Sequence, residues 1–226
     1  MPVDASVVIQ IRQVLSRVRS EAIGKATKMK LFTQTPAGDS YNIMDSNGVA
    51  GGVCCALALF WLNSRSNRQD FLDTLLGPGG TIRTDALMPA INLQREIADP
   101  DTQMVQAKAW LARHNLNGAL KTKESVNGLD LDIGNWFCQN PMINPYRLLA
   151  IRGGYDHAMA LDLSRPNDLV FFDPNLGSFH FNSMTRLIDF LNTTIYPATG
   201  SGTTLTRNSE YIGRKRFILI EMGCFS

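Results

Sequence analysis

Residues 146–181 read YRLLAIRGGYDHAMALDLSRPNDLVFFDPNLGSFHF. Four short runs rich in Leu, Ile, Val and Phe alternate there with segments of Gly, Pro, Asn and Asp, a spacing typical of antiparallel β-strands joined by tight turns. These runs lie at 146–152, 156–163, 168–173 and 177–181, and a fifth, RFILIEM, lies at 216–222. The sequence therefore predicts an antiparallel sheet in the C-terminal half of the chain.

Most of the remaining chain predicts helices. Residues 54–63 are apolar on nearly every side of a helix, as in a segment buried at the centre of a domain. Apolar residues at helical spacing predict further helices over 5–22, 84–98, 102–114, 131–139 and 183–194. The stretches 33–52 and 197–209 are rich in Gly, Ser, Thr and Asn and are predicted loops. A helical half combined with an antiparallel sheet is an α+β fold.

Composition limits the classes of function. With 226 residues and 44% hydrophobic side chains, the chain is long and apolar enough for one domain with a buried core. A net charge of +2 is too small for the basic surface that nucleic-acid binding requires. Four cysteines are too few for a disulfide scaffold, and no apolar run suits a membrane span or a signal peptide. We therefore expect a soluble intracellular protein.

The predicted N-terminal helix, residues 5–22, has a basic polar side. Lys and Arg number six within the first thirty residues, against Asp4 and Glu21. Contact with a membrane surface is one interpretation of this charge. Packing of the apolar side against the domain, with the basic side in water, is the favoured one. Nothing else in the sequence supports a membrane partner.

Cys54 stands where a reactive thiol is expected. It begins the predicted buried helix directly after Gly51, Gly52 and Val53. At a helix N-terminus, free backbone N–H groups and the helix dipole lower the pKa of a thiol, and the thiolate is its nucleophilic form. The N–H of the nucleophile can also donate a hydrogen bond to an oxyanion. Cys54 is therefore the candidate nucleophile and a candidate oxyanion donor.

His157 and Asp173 supply the groups that such a thiol needs. His157 lies in an apolar strand, where burial favours the neutral imidazole that can act as a base. Asp173 ends the next strand, and the short turn at 164–168 is expected to bring it beside His157, where it would fix the tautomer of the ring. Nucleophile, base and orienting group in these roles are typical of acyl-transfer enzymes.

These residues lie in motifs that resemble those of the YopT/AvrPphB-type cysteine proteases, bacterial effectors with a papain-like fold. The family's nucleophile motif is G-x-C-x-x-L-x-x-x-W, and its fixed positions are filled here by Gly52, Cys54, Leu57 and Trp61. The family's histidine, in a strand and followed by small and apolar residues, matches 157–160. Its aspartate motif, F-D-P-N-x-G-x-F, matches 172–179. All three motifs occur in the family's order, over roughly residues 45–181.

The resemblance implies a single papain-like catalytic domain over residues 31–226, preceded by the amphipathic helix and extension of residues 1–30. It implies a catalytic triad of Cys54, His157 and Asp173, a protein substrate and no cofactor. It further implies a bacterial protein that reaches the cytoplasm of a target cell without a cleavable signal peptide. There it would cleave a signalling protein such as a small GTPase or a kinase.

The sequence also allows assignments for the remaining cysteines and for a second oxyanion donor. The motif register leaves Cys55 facing the core, and Cys138 and Cys224 are expected to be structural. Papain-like enzymes place a side-chain amide shortly before the cysteine, and the nearest candidate is Asn47, seven residues before Cys54. No Cys or His pair has the spacing of a zinc site, so we expect no metal.

Two alternative functions remain open at this stage. The same triad could carry out deamidation, transglutamination or acyl transfer, because one thioester intermediate serves all of these reactions. A papain-like shell could instead be an inactive binding module, in which Cys54 would be an ordinary thiol. Of the other histidines, His180 is expected at the surface or at a sheet edge, and His114 is expected to cap a helix.

Overall fold

A computed structural model describes residues 4–49, 52–125, 133–152, 156–195 and 215–224. The helices of this part of the chain are α1 (Ala5–Ile23), α2 (Ser40–Ser46), α3 (Cys54–Ser66), α4 (Phe71–Leu75), α5 (Thr84–Glu96), α6 (Gln103–Arg113), α7 (Ile133–Phe137) and α8 (Met184–Phe190), which continues into a π-helical turn (Leu191–Ile195). The strands are β1 (Lys28–Leu31), β2 (Leu116–Ser125), β3 (Tyr146–Arg152), β4 (His157–Asp162), β5 (Leu169–Asp173), β6 (Gly177–Phe181) and β7 (Lys215–Cys224). The predicted α+β class is confirmed, and the predicted loop at 197–209 lies outside the described residues.

The strands form one antiparallel sheet in the order β1-β6-β5-β4-β3-β7-β2. Its centre is the run of strands predicted from residues 146–181, each paired with the next through a short connection. The last strand, β7, lies between β3 and β2 and joins β2 to the rest of the sheet. Strands β4 and β5 pair with Ala160 opposite Phe172, which brings the start of β4 and the end of β5 to the same end of the sheet.

Helix α3 packs across one face of this sheet. It is apolar nearly all round because it is surrounded, by β3, β4 and β5 on one side and by α4, α5 and α6 on the others. Trp61 of α3 stacks on Phe172 of β5, with ring centroids 5.3 Å apart and planes 6° from parallel. Both rings are buried. This contact connects two of the sequence motifs and fixes α3 over the sheet close to Asp173.

The opposite face of the sheet is covered by α1, α7 and α8. Phe171 and Phe179 of the sheet meet Phe190 of α8 in a cluster of aromatic rings. Helix α1 buries the apolar side chains of its second half, Val14, Leu15, Val18 and Ala22, in the same core. Strand β1 follows directly and spans residue 30, where the sequence pattern places the end of the N-terminal extension. None of the described helices is both long enough and apolar enough to cross a membrane.

The structure differs from the sequence-based predictions mainly at the edge strands of the sheet and in two short helices. Strands β1 and β2 were not predicted, because their sequences, KMKL and LNGALKTKES, mix Lys and Gly into edge strands with no continuous apolar run. Helix α2 lies within the predicted loop 33–52, and α4 was also not predicted. The placement of His180 at the surface is wrong: its side chain is buried, because β1 pairs outside β6 and Lys28 lies opposite His180.

Candidate active site

Cys54 is the first residue of α3 and lies behind a sharp turn. Gly52 has φ +109°, a conformation that glycine adopts without a steric cost, and Val53 precedes the helix with its side chain fully buried. Cys54 is partly exposed whereas Cys55 is buried, as the motif register predicts. Gly51, the other glycine of the predicted turn, lies outside the described residues. The local backbone thus presents one thiol at the N-terminus of the central helix.

His157 and Asp173 meet at the end of the sheet nearest this helix N-terminus. His157 is the first residue of β4 and Asp173 is the last of β5, and His157 Nε2 lies 3.0 Å from Asp173 Oδ1. The same carboxylate oxygen accepts a hydrogen bond of 2.7 Å from the backbone N–H of Asn175. The Asp173 side chain is only 3% exposed, and that of His157 is 17% exposed. The carboxylate is therefore fixed, while one edge of the imidazole is open to solvent.

The electrostatics of the site couple the thiol to the imidazole. Burial raises the pKa of Cys54, but a hydrogen bond from His157, the charge of that ring and the Ala158 N–H outweigh burial, so the pKa is lowered. Burial lowers the pKa of His157, but the Asp173 carboxylate and the Cys54 thiolate outweigh it and raise the pKa to about 10. Both directions favour the charged forms of the two groups, a thiolate and an imidazolium.

Cys55 is chemically different from its neighbour. Burial raises the pKa of this thiol, and the adjacent Cys54 thiolate raises it further, with only a weak opposing effect of Arg152. A thiol that stays protonated is a poor nucleophile. The two adjacent cysteines therefore have opposite pKa shifts, and the favourable one belongs to the residue selected by the motif.

Asn47, the predicted second oxyanion donor, makes its described contacts elsewhere. It follows the last residue of α2, and its Nδ2 donates to the carbonyl oxygen of Ile43 at 2.8 Å. Its backbone carbonyl and its Oδ1 both accept from the Arg95 guanidinium of α5. No hydrogen bond within the described part of the chain joins Asn47 to Cys54, His157 or Asp173.

Two other side-chain amides contact the nucleophile segment, and the sequence analysis did not identify them. Gln34 Oε1 accepts from the buried N–H of Val53 at 2.9 Å, and Gln94 Oε1 of α5 accepts from Ala56 N–H at 3.2 Å. Both residues are far from Cys54 in sequence. No local motif predicts such contacts, because they depend on how the β1–α2 connection and α5 pack around α3.

The remaining candidates are placed in structural positions. Cys138 is buried, and the side chain of Cys224 lies outside the described part of the structure. His114 Nδ1 lies 2.8 Å from the carbonyl oxygen of Trp110 at the end of α6, a helix-capping contact. His180 pairs with Asp168. Among the residues that the structure describes, no three His, Cys, Asp or Glu side chains form a group that could hold a metal ion.

Known proteins resemble this chain in sequence. The sequence profile of the family described as "Yersinia/Haemophilus virulence surface antigen" matches residues 145–207, which contain His157 and Asp173. Cysteine protease YopT of Yersinia pestis is 26% identical over 171 residues, and that of Yersinia enterocolitica is 25% identical over the same length. Each alignment covers 69% of this chain and 53% of the relative. The chain is thus similar in sequence to the YopT cysteine proteases.

The structural comparison shows the fold of this family. The crystal structure of the Pseudomonas avirulence protein AvrPphB superimposes with a TM-score of 0.50 at 15% sequence identity, covering 79% of this chain and 94% of AvrPphB. The fold of the chain is thus the papain-like α+β fold of the YopT/AvrPphB-type proteases. The chain spans about half the length of the YopT proteins that it matches.

Proposed function

We propose that this protein is a cysteine endopeptidase in which Cys54 is the nucleophile, His157 the proton donor and acceptor, and Asp173 the group that orients His157. The observation that carries the proposal is the 3.0 Å contact between His157 and Asp173, formed where the His157 ring acts on the Cys54 thiol. The lowered pKa of Cys54 and the raised pKa of His157 support the same roles. The similarity to YopT/AvrPphB-type cysteine proteases supports peptide bonds as the substrate class.

In the first half of the reaction, the Cys54 thiolate attacks the carbonyl carbon of a peptide bond. The oxyanion that forms accepts a hydrogen bond from the Cys54 N–H at the N-terminus of α3, where the helix dipole also favours negative charge. The His157 imidazolium then gives its proton to the leaving amine, and the thioester remains on Cys54.

In the second half, the now neutral His157 accepts a proton from water, which attacks the thioester. The acid product leaves, and the thiolate and the imidazolium are restored. Asp173 remains ionised throughout, because its role is to hold the ring and to stabilise the imidazolium. Its 3.0 Å contact is to Nε2, so Nδ1 is the ring nitrogen that we assign to proton transfer with the thiol.

We propose further that the substrate is a protein of a target cell and that the enzyme acts in the cytoplasm of that cell after delivery by a bacterium. This extension is supported by the relationship to the Yersinia proteases and to the Pseudomonas avirulence protein. Small GTPases and protein kinases are the first substrate classes to test. No residue of the described structure selects between them.

The proposal is tested by incubating the protein with a eukaryotic cell lysate and identifying new protein N-termini by mass spectrometry. We expect new termini with the wild-type protein and none with Cys54→Ala, while Cys55→Ala still produces them. Products with a changed mass but an intact chain would instead indicate deamidation or acyl transfer by the same thiol. Equal cleavage by wild type and Cys54→Ala would contradict the assignment of the nucleophile.

A further inference from the structure

Gln34 lies between the two loops that carry the proposed nucleophile and its orienting carboxylate. The residue follows β1, is 7% exposed and belongs to none of the three sequence motifs. On one side it faces the Gly52–Val53 turn before Cys54. On the other side it faces the Asp173-Pro174-Asn175 turn at the end of β5. It is therefore placed to set the distance between these two turns.

Within the described residues, Gln34 makes three hydrogen bonds, which together connect the Val53 turn to the Asp173 turn. Its backbone N–H donates to the carbonyl oxygen of Pro174 at 2.9 Å, and its Oε1 accepts from the Val53 N–H at 2.9 Å. Its Nε2 donates to Asn175 Oδ1 at 3.0 Å. The side-chain amide thus holds the residue before the nucleophile with its oxygen and the aspartate turn with its nitrogen.

Gly52 and Asn175 extend these contacts to the reacting groups. A Cβ atom added to Gly52 would lie 3.7 Å from Gln34 Oε1, so the turn packs directly on the amide. The Asn175 N–H donates to Asp173 Oδ1, the oxygen that also contacts His157. A displacement of Asn175 therefore changes the support of the carboxylate, and a displacement of Val53 changes the position of the thiol.

We infer that Gln34 is a positioning residue of the proposed active site, which holds the Cys54 turn and the Asp173 turn in register through Val53 and Asn175. This inference rests on the proposed function, because it concerns the geometry of the same thiol and imidazole. Without the amide, the buried Val53 N–H loses its acceptor and Asn175 loses its donor. Thiol and imidazole then lose the alignment that stabilises their charged forms.

The test is the pH dependence of Cys54 alkylation by iodoacetamide, from about pH 5 to about pH 9. Modified Cys54 is quantified by peptide mass spectrometry in wild type, Gln34→Met and Asn175→Ala. Methionine conserves the approximate volume of glutamine and removes both side-chain hydrogen bonds. Gln13→Met, an exposed position on α1, is the matched control. The thermal midpoint of each variant is measured in parallel.

We expect Gln34→Met to slow Cys54 alkylation about tenfold at about pH 6 and to raise the apparent thiol pKa by about one unit. Asn175→Ala should produce part of this change, and the double variant should lose less than the sum of the two. Gln13→Met should match wild type. A lower thermal midpoint by itself does not move a thiol titration, so the pH profile separates positioning from a general loss of stability.

Two results would overturn the inference, and they differ in what else they overturn. An activated Cys54 in wild type with the same pH profile in Gln34→Met and Asn175→Ala would overturn only the role of Gln34. A wild-type Cys54 that reacts no faster than an ordinary thiol would overturn the proposed function, and the inference with it. If Gln34→Met does not fold, Asn175→Ala becomes the test. An unchanged pH profile of Cys54 alkylation in Asn175→Ala would then overturn the inference.

Discussion

The sheet contains two histidine–aspartate pairs that differ in what lies beyond the histidine. His157 contacts Asp173 at 3.0 Å, and its ring also lowers the pKa of the Cys54 thiol. His180 Nδ1 contacts Asp168 at 2.6 Å, but its Nε2 is buried and has no hydrogen-bond partner within the described structure. Both pairs place a carboxylate on one ring nitrogen. Only one of them presents the ring to a nucleophile.

The carboxylates also differ in their other partners. Asp168 accepts from Arg65 of α3, which in turn forms a 2.7 Å ion pair with the buried Asp162. Asp173 has no such cation among its described partners, and its oxygen is held by the Asn175 N–H. The second pair is therefore part of a network that fastens α3 to the sheet. A histidine–aspartate contact alone does not identify a catalytic site, and the neighbouring thiol decides the assignment.

The largest expected difference between the two pairs concerns the histidines. We expect His157→Ala to lower kcat/KM by about a thousandfold or more, because it removes both the proton carrier and the charge that stabilises the thiolate. His180→Ala should keep activity within about twofold and destabilise the fold by about 1–3 kcal/mol. Peptidase assays and chemical denaturation of both variants measure these effects. A comparable loss of kcat/KM in both variants would contradict the assignment of a catalytic role to His157 and a structural role to His180.

The aspartates should show a smaller contrast in the same direction. We expect Asp173→Asn to lower kcat/KM by roughly ten- to a hundredfold, because the amide weakens the support of the imidazolium. Asp168→Asn should leave kcat/KM near wild type and destabilise the fold by about 1 kcal/mol at neutral pH. For both variants, kcat/KM and the free energy of unfolding are measured. Loss of activity at Asp168 with stability intact would be the opposite of this expectation.

The pH dependence of stability sharpens the contrast at Asp168. Burial raises the pKa of this carboxyl, but His180 and Arg65 outweigh it and lower the pKa overall. A lowered carboxyl pKa contributes stability above the ordinary range of aspartate, and this contribution is lost as the pH falls through the lowered value. The stability difference between wild type and Asp168→Asn should therefore shrink on acidification. A stability difference between wild type and Asp168→Asn that grows at acid pH would contradict a lowered pKa of Asp168.

The thiol should show a pH profile that depends on His157. The lowered pKa of Cys54 favours its thiolate, and the pKa of His157, raised to about 10, favours the protonated ring at neutral pH. We expect the rate of Cys54 alkylation to stay high as the pH decreases to neutrality and to fall only below the ordinary thiol range. In His157→Ala, only the Ala158 N–H still opposes burial, so the profile should move to higher pH. Identical profiles would show that the histidine does not act on the thiol.

The smallest expected effect is at Asn47. Because its described hydrogen bonds go to Ile43 and Arg95, we expect Asn47→Ala to change kcat by no more than about threefold. An oxyanion donor would be worth about a hundredfold or more in kcat. A hundredfold loss with an unchanged free energy of unfolding would restore Asn47 as the second donor. Steady-state kinetics and denaturation distinguish these outcomes.

The sequence predicted the central part of this structure well because local pattern and burial agree there. The apolar runs of β3 to β6 are buried on both faces, and α3 is buried on nearly every side, so each has an unambiguous hydrophobic pattern. The residue identities of the candidate site followed from motif spacing. The structure brings Cys54, His157 and Asp173 together as that spacing predicted.

Gln34 and His180 show why the remaining features could not be predicted. Both depend on β1, whose four residues have no local strand signal and are held by pairing with β6. Without that pairing, nothing in the sequence indicates that His180 is covered or that Gln34 reaches Val53. Asn47 stays a prediction: closeness in sequence to Cys54 favoured this amide, and its described contacts include one with Arg95 of α5.

The position of β7 has a consequence for the newly made protein. This strand is the last described segment of the chain, yet it lies inside the sheet and joins β2 to β3. Since a ribosome releases residues from the N-terminus onward, Cys54 emerges long before the strands that surround its partners can pair. During translation, Cys54 is thus made well before the sheet can be complete. The described sheet is therefore complete only after residues 215–224 have been made.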